Sequence, residues 1–152
     1  MNAILVCVSV SHGNTKKVAD VIGEVLGARV VEPEEVDAAE LAKYDLVGFG
    51  AGIYFQQFQP RLRKFVKSLP EEQRGKAFVY TTSGFTPRIN SLVKPLEKKG
   101  FDVVGTFASR GWDTSFPFSL FGGAKKGRPN DVDLAEAYKF AEGLRTSVDR
   151  TA

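Results

Sequence analysis

The chain has 152 residues, 43% of them hydrophobic and 26% charged, which suits one ordinary domain with a real core and excludes an intrinsically disordered chain. The net charge is +3 and the pI near 9.0. Lys and Arg fall in short clusters ("TKK", "PRLRKFVK", "EKKG", "AKKGRP") rather than on one helix face, so solvated surfaces or an acidic partner are expected and nucleic acid is not. No apolar run reaches the roughly 18 residues of a membrane span, and "MNAILVCVSV" lacks the basic start of a signal peptide. The single cysteine, Cys7, lies in an apolar run and reads as a buried small hydrophobe. Cytoplasmic residence is the expectation.

In chain order, "AILVCVSV" is nearly continuous apolar and β-branched, the pattern of a strand buried on both faces. Val18, Val21, Ile22, Val25 and Leu26 then recur at helical spacing, and Gly27 stops that helix. "ARVVE" is a short second strand ended by Pro33, and "DAAELAKY" a short helix or a turn of one. "YDLVGFG" is a third buried strand. "PRLRKFVKSL" is a helix with Pro60 at its first position, where a missing N–H costs nothing. "KAFVYTT" is a fourth strand, "INSLVKPLEKKG" a helix disturbed by Pro95, and "FDVVGTFAS" a fifth strand. After a loop rich in glycine and aromatics, "DVDLAEAYKFAEGLR" closes the chain as a helix with Leu134, Tyr138, Ala141 and Leu144 on its apolar face.

Five short apolar strands alternating with helices predict a parallel sheet covered on both faces. Ligands of such sheets bind outside the carboxyl ends of the strands, where strand order reverses. The loops to inspect are therefore "SVSHGNT", "GAGIYFQQFQ", "TSGFTP" and the long stretch from Arg110 to Asn130.

The first loop runs straight into a helix N-terminus, where backbone N–H groups lack intrahelical partners and the helix dipole is positive. Ser9, Ser11, Asn14 and Thr15 add side-chain donors, and Gly13 lets the backbone come close, so the segment reads as an anion or phosphate cradle. Helix capping by Asn14 or Thr15 beside a turn glycine gives the same pattern without any ligand. The loop lacks the Lys-[Ser/Thr] pair of a nucleoside triphosphate loop, and "GFGAGI" has Ile53 where a dinucleotide fingerprint needs its third glycine. Hydroxyls and amides with no metal ligand suit a terminal phosphate monoester. His12, the sole histidine, can add a charge-assisted contact to that phosphate or stand in solvent.

The other loops offer a different chemistry. Tyr54, Phe55 and Phe58 follow strand three, Phe85 follows strand four and Trp112 strand five. Ordinary packing accounts for aromatics at such places, and is preferred for Phe58. Rings on three loops of one edge can also sandwich a flat heterocycle, with Gly50, Gly52, Gly84 and Gly111 keeping the loops slim. A phosphate at one end and a planar ring system at the other describe flavin mononucleotide, FMN.

Three segments resemble the flavodoxin-like family across nearly the whole chain. "ILVCVSVSHGNTKKVADVI" is similar to its first strand, phosphate loop and first helix, "YDLVGFGAGIYFQQFQPRLRKFV" to its third strand, flavin-side loop and following helix, and "FVYTTSGF" to its next strand and second flavin loop. The resemblance implies one domain over residues 1–152. It implies a doubly wound five-stranded parallel α/β sheet of order 2-1-3-4-5. It assigns Ser11, His12, Gly13, Asn14 and Thr15 to the FMN phosphate, with Ser9 at the edge. Gly52, Ile53, Tyr54 and Phe55 fall to the isoalloxazine ring, as do Thr82, Ser83, Gly84 and Phe85. Two features depart from electron-carrier flavodoxins: the chain is basic where they are usually acidic, and Val10 and His12 stand where many have Ser or Thr.

Three functions follow as expectations. The first is a flavin electron carrier serving a redox partner protein or a small organic acceptor, which needs no catalytic residue of its own. The second is an FMN-dependent oxidoreductase, quinone reductase-like or similar to the menaquinone-linked protoporphyrinogen oxidases. There the loop from 110 to 130 would shape a substrate pocket with Trp112, Phe116, Phe118, Leu120 and Phe121. The third is an interaction domain without a cofactor.

Overall fold

The structure, a computed structural model, describes residues 2–8, 14–54, 57–71, 73–82, 89–109 and 131–150. Strand β1 (Ala3–Val8) is buried along its whole length. Its side chains alternate between two cores: Ile4, Val6 and Val8 enter one, Ala3, Leu5 and Cys7 the other, as a pleated strand requires. Helix α1 (Asn14–Leu26) buries Val18, Ala19, Ile22 and Leu26 with Cys7 and Leu5. It ends at Gly27, whose φ of 64° is a left-handed value that a side chain would oppose. Strand β2 (Arg29–Val31) follows. Two 3₁₀ turns come next, Pro33–Glu35 and Ala38–Lys43. The second is capped by the Asp37 carboxylate, which accepts from the Ala39 N–H at 3.1 Å.

The rest of the chain alternates in the same way: β3 (Leu46–Tyr54), β4 (Gln57–Phe58), α2 (Pro60–Ser68), β5 (Lys76–Thr82), α3 (Asn90–Lys98), β6 (Asp102–Ser109) and α4 (Asp131–Arg150). The sheet order is β2-β1-β3-β5-β6 with parallel pairing throughout, and β4 folds back antiparallel onto the end of β3. Setting β4 aside, this is the expected order 2-1-3-4-5. Leu62, Phe65 and Val66 of α2 and Leu92 and Leu96 of α3 cover one face. On the other face lie α1 and the Ala137, Ala141, Leu144 and Val148 row of α4. No described helix is long and apolar enough to cross a membrane.

Three local expectations are revised. The strand read as ending at Gly50 continues to Tyr54, because Ile53 and Tyr54 pair with Phe58 and Gln57 in a hairpin. Much of the expected flavin-side loop is therefore strand. Pro95 lies inside α3, which runs on to Lys98. Tyr138 is 52% exposed rather than part of the α4 core face. The helix docks through Ala137 and Ala141, whose small side chains allow close approach to the sheet, and residue 138 is thereby turned about 100° outward.

Candidate functional site

Strand order reverses at β1: β2 lies on one side of it and β3 on the other. The crevice beyond the carboxyl ends of β1 and β3 is where a doubly wound sheet binds its ligand, and α1 begins there at Asn14. The first turn of α1 carries no acidic residue, so nothing in that turn opposes an anion at the dipole's positive end.

Two of the predicted site residues meet at this edge. Thr15, second residue of α1, and Thr82, last residue of β5, are 3% and 6% exposed, and their hydroxyl oxygens lie 2.8 Å apart. The bond joins positions 67 residues apart in sequence. Gly52 lies beside Thr82 in the β3–β5 register, and Ser109 flanks Thr82 on β6. The Gly52 carbonyl accepts from the Gln59 N–H at 3.2 Å, which closes the β3–β4 hairpin. Ile53 and Tyr54 end β3. Ser9, Ser11, His12, Gly13, Phe55, Ser83, Gly84, Phe85, Gly111 and Trp112 lie outside the described residues, as does the stretch from 110 to 130. Phe58 is fully buried in the core under α2, in keeping with a packing role.

Below this edge the sheet has a floor that composition and spacing did not bring out. Gly48 and Gly50 point to the α1 side of β3, and a Cβ on either would overlap a ring of β5: Phe78 at Gly48 and Tyr80 at Gly50. The Tyr80 ring thus passes across β3, and its hydroxyl donates to the Val6 carbonyl of β1 at 3.1 Å. Cys7, Gly50 and Tyr80 stand in one row of the register. The Cys7 thiol is hydrogen-bonded to the same phenol. Burial pushes that thiol up to about 11 and raises the Tyr80 phenol well above its usual value. The signal was present as alternate glycines (48, 50, 52) facing alternate large residues (78, 80) on the neighbouring strand. Gly50 therefore serves packing inside a strand rather than loop slimness.

The described part of the edge fits a phosphate. Hydroxyls and helix amides meet there, and two buried hydroxyls share one hydrogen bond, leaving a proton to give. Among the described residues, no group of three His, Cys, Asp or Glu lies together as a metal ion would need.

A doubly wound sheet with this strand order, and a helix that starts at its switch point, defines a flavodoxin-like α/β protein. The chain belongs to the flavodoxin domain family, which matches it over residues 5–124. It is 35% identical over 149 residues to the uncharacterized protein MJ0298 of Methanocaldococcus jannaschii, covering 95% of this chain and 98% of that one. Among solved structures it superposes on a flavodoxin from the domain Archaea with a TM-score of 0.73 at 19% identity, covering 98% and 99% of the two chains. A short-chain flavodoxin associated with a non-canonical PDU bacterial microcompartment gives 0.72 at 18% identity, covering 97% and 99%. The rubredoxin oxygen:oxidoreductase of Desulfovibrio gigas gives 0.70 at 15% identity, with 99% of this chain matching 37% of that longer one.

Proposed function

We propose that the chain, as one domain over residues 1–152, is an FMN-binding redox protein of the cytoplasm. It would pass electrons between a partner protein or a small organic acceptor and the bound flavin. The observation that carries the reading is the buried Thr15–Thr82 pair at the switch point of a flavodoxin-family sheet. A helix start with no acidic first turn supports it.

FMN, when bound, supplies one- and two-electron chemistry that no side chain provides. The protein's own work is to hold and orient. Ser9, Ser11, His12, Gly13, Asn14 and Thr15 would hold the phosphate with the first amides of α1. Gly52 to Phe55, Ser83 to Phe85, Gly111 and Trp112 would surround the ring, with Tyr54, Phe85 or Trp112 stacked on it, and Thr82 would stand where the second ring loop meets the phosphate site. The buried Tyr80 ring, which lies over Gly50 and is tied to Val6, would close the sheet beneath the site.

The test is to titrate FMN and riboflavin into apoprotein while following flavin fluorescence. FMN is expected to bind with strong quenching. Riboflavin, lacking the phosphate, is expected to bind more weakly by at least tenfold, since charge-assisted hydrogen bonds contribute about 1.5–3 kcal/mol each. Equal affinity for the two would remove the phosphate cradle. No binding of either would leave the cofactor-free interaction domain as the reading. Rapid reduction of a quinone by the holoprotein would favour the oxidoreductase over the carrier.

A further inference from the structure

The Thr15–Thr82 contact has a directional consequence. Each hydroxyl carries one proton, and their mutual bond uses one of the two. If Thr15 were the donor, its proton would be spent inside the protein and it would have none for an anion. If Thr82 donates to Thr15, the Thr15 proton is left to point out from the start of α1. A phosphate accepts and does not donate, and the reversed bond would present the spare proton from Thr82 on β5, so the second arrangement is the one that delivers it at the start of α1, where Thr15 stands.

The partner that Thr15 shows is not the usual one of a helical threonine. Such a residue often turns its hydroxyl back to a carbonyl three or four positions earlier in the helix. Thr15 is the second residue of α1. Its partner is instead a side chain on β5, within a buried site where a bond's direction is not averaged by water.

Building on the FMN reading, we infer that Thr82 is a positioning residue for the phosphate and not a ring contact. Its hydroxyl donates to Thr15, fixes that side chain's rotamer and frees the Thr15 O–H for a phosphate oxygen. A chain of two hydroxyls ending on an anion is polarised along its length, so the outer bond is strengthened by the inner one. The arrangement also joins the helix that starts the phosphate site to the strand that leads into the second flavin loop. Phosphate binding is thereby felt at residue 82 without any contact between the two.

The experiment compares Thr82→Val, which keeps the shape and removes the hydroxyl, with Thr82→Ser, which keeps the hydroxyl. Affinities for FMN and for riboflavin are measured on each apoprotein. Thr82→Val is expected to weaken FMN about tenfold, the size of one lost hydrogen bond to an ionic network, while changing riboflavin affinity less than about twofold. Thr82→Ser is expected to stay within about threefold of wild type for both. Equal loss of FMN and riboflavin in Thr82→Val would place residue 82 on the ring and overturn the inference, as would unchanged FMN affinity.

A second measurement needs no variant to fold. Inorganic phosphate is titrated into wild-type apoprotein carrying labelled threonine methyls. The Thr15 and Thr82 signals are expected to shift together with one binding constant. A shift confined to Thr15 overturns the coupling. Wild type that binds neither FMN nor phosphate overturns the flavin reading and this inference with it, whereas normal FMN binding without the Thr82 effects overturns this inference alone.

Discussion

Cys7 illustrates how position overrides residue type. A cysteine near a helix N-terminus is often activated, because the dipole and nearby cations stabilise the thiolate. Here Lys16 pulls in that direction, but burial outweighs it and the thiol rises to about 11 from an ordinary 9.0. At pH 8 only about one thiol in a thousand is then ionised, and the group is 2% exposed. Native protein is expected to resist a disulfide reagent at pH 8 on the timescale of minutes and to react fully in denaturant; stoichiometric labelling of the folded state would contradict this placement. The same shift sets a pH dependence. The unfolded thiol loses its proton near 9 and the folded one near 11, so across that window the unfolded chain binds fewer protons and stability falls as pH rises. The loss attributable to Cys7 is roughly 2–3 kcal/mol by the top of the window. Tyr80, whose phenol is also raised, pulls in the same direction, so the contribution of Cys7 is read as the difference between wild type and Cys7→Val. The variant should lose less stability between pH 9 and pH 11 in urea unfolding, and parallel curves would remove Cys7 as a cause.

Elements were legible wherever one physical signal dominated. The continuous apolar run of β1, the 3.6-residue rhythm of α1 with Gly27 behind it, and Pro60 at the first position of α2 each announced their element. What could not be read was anything set by a neighbour in space. Tyr138 fits a helical stripe, yet faces out because Ala137 and Ala141 make the closer docking surface. Ile53 and Tyr54 looked like loop residues because their hairpin partners, Phe58 and Gln57, are close in sequence but their pairing has no glycine-rich turn to mark it. Thr15 and Thr82 each stood out in the sequence as candidates, but their bond to one another crosses 67 positions. The β3 glycines belong to the same class. Gly50 looks conformational in the sequence and is steric in the structure, since Tyr80 fills the place of its side chain. Gly50→Ala should therefore destabilise the fold by about 1–3 kcal/mol through overpacking. The cost should shrink below about 0.5 kcal/mol when made in a Tyr80→Leu background, because the clash is lost with the ring. Urea midpoints of the four proteins decide it, and an undiminished cost in the double variant would assign Gly50 to the backbone instead.

For the molecule as a whole, the modest net charge conceals a strong local separation. Helices α2 and α3 with Lys99 carry Arg61, Arg63, Lys64, Lys67, Lys94, Lys98 and Lys99 against the single acid Glu97. On the same face, nearer β2, the 3₁₀ segment carries Glu34, Glu35 and Glu40 with only Lys43 opposing them. Arg61 stands at the border, bridged to Glu34 and near Glu32 at 3.7 Å, and its hydrogen bond holds the Glu34 carboxyl below the usual range. Surface pairs of this kind add little to stability, but they cancel Arg61 as a source of field. Arg63, whose Nε donates to the Phe58 carbonyl at 3.0 Å, and the exposed Lys64 remain. Both lie in the first turns of α2, immediately after the hairpin at the ligand edge of the sheet. On the FMN reading, an electron acceptor approaching that edge meets positive charge, the reverse of what an acidic carrier presents. Reduced holoprotein should therefore be oxidised by the anion ferricyanide at a rate that falls as salt rises. Oxidation by the cation hexaammineruthenium(III) should speed up over the same range, since screening shortens the reach of both fields to about 10 Å at 0.1 M. Lys64→Glu combined with Lys94→Glu should flatten or invert the ferricyanide slope while leaving FMN affinity unchanged. Identical salt slopes for the two oxidants would mean that the α2–α3 charge does not reach the electron-transfer edge, and the choice of an acidic partner would then have to rest on contacts elsewhere.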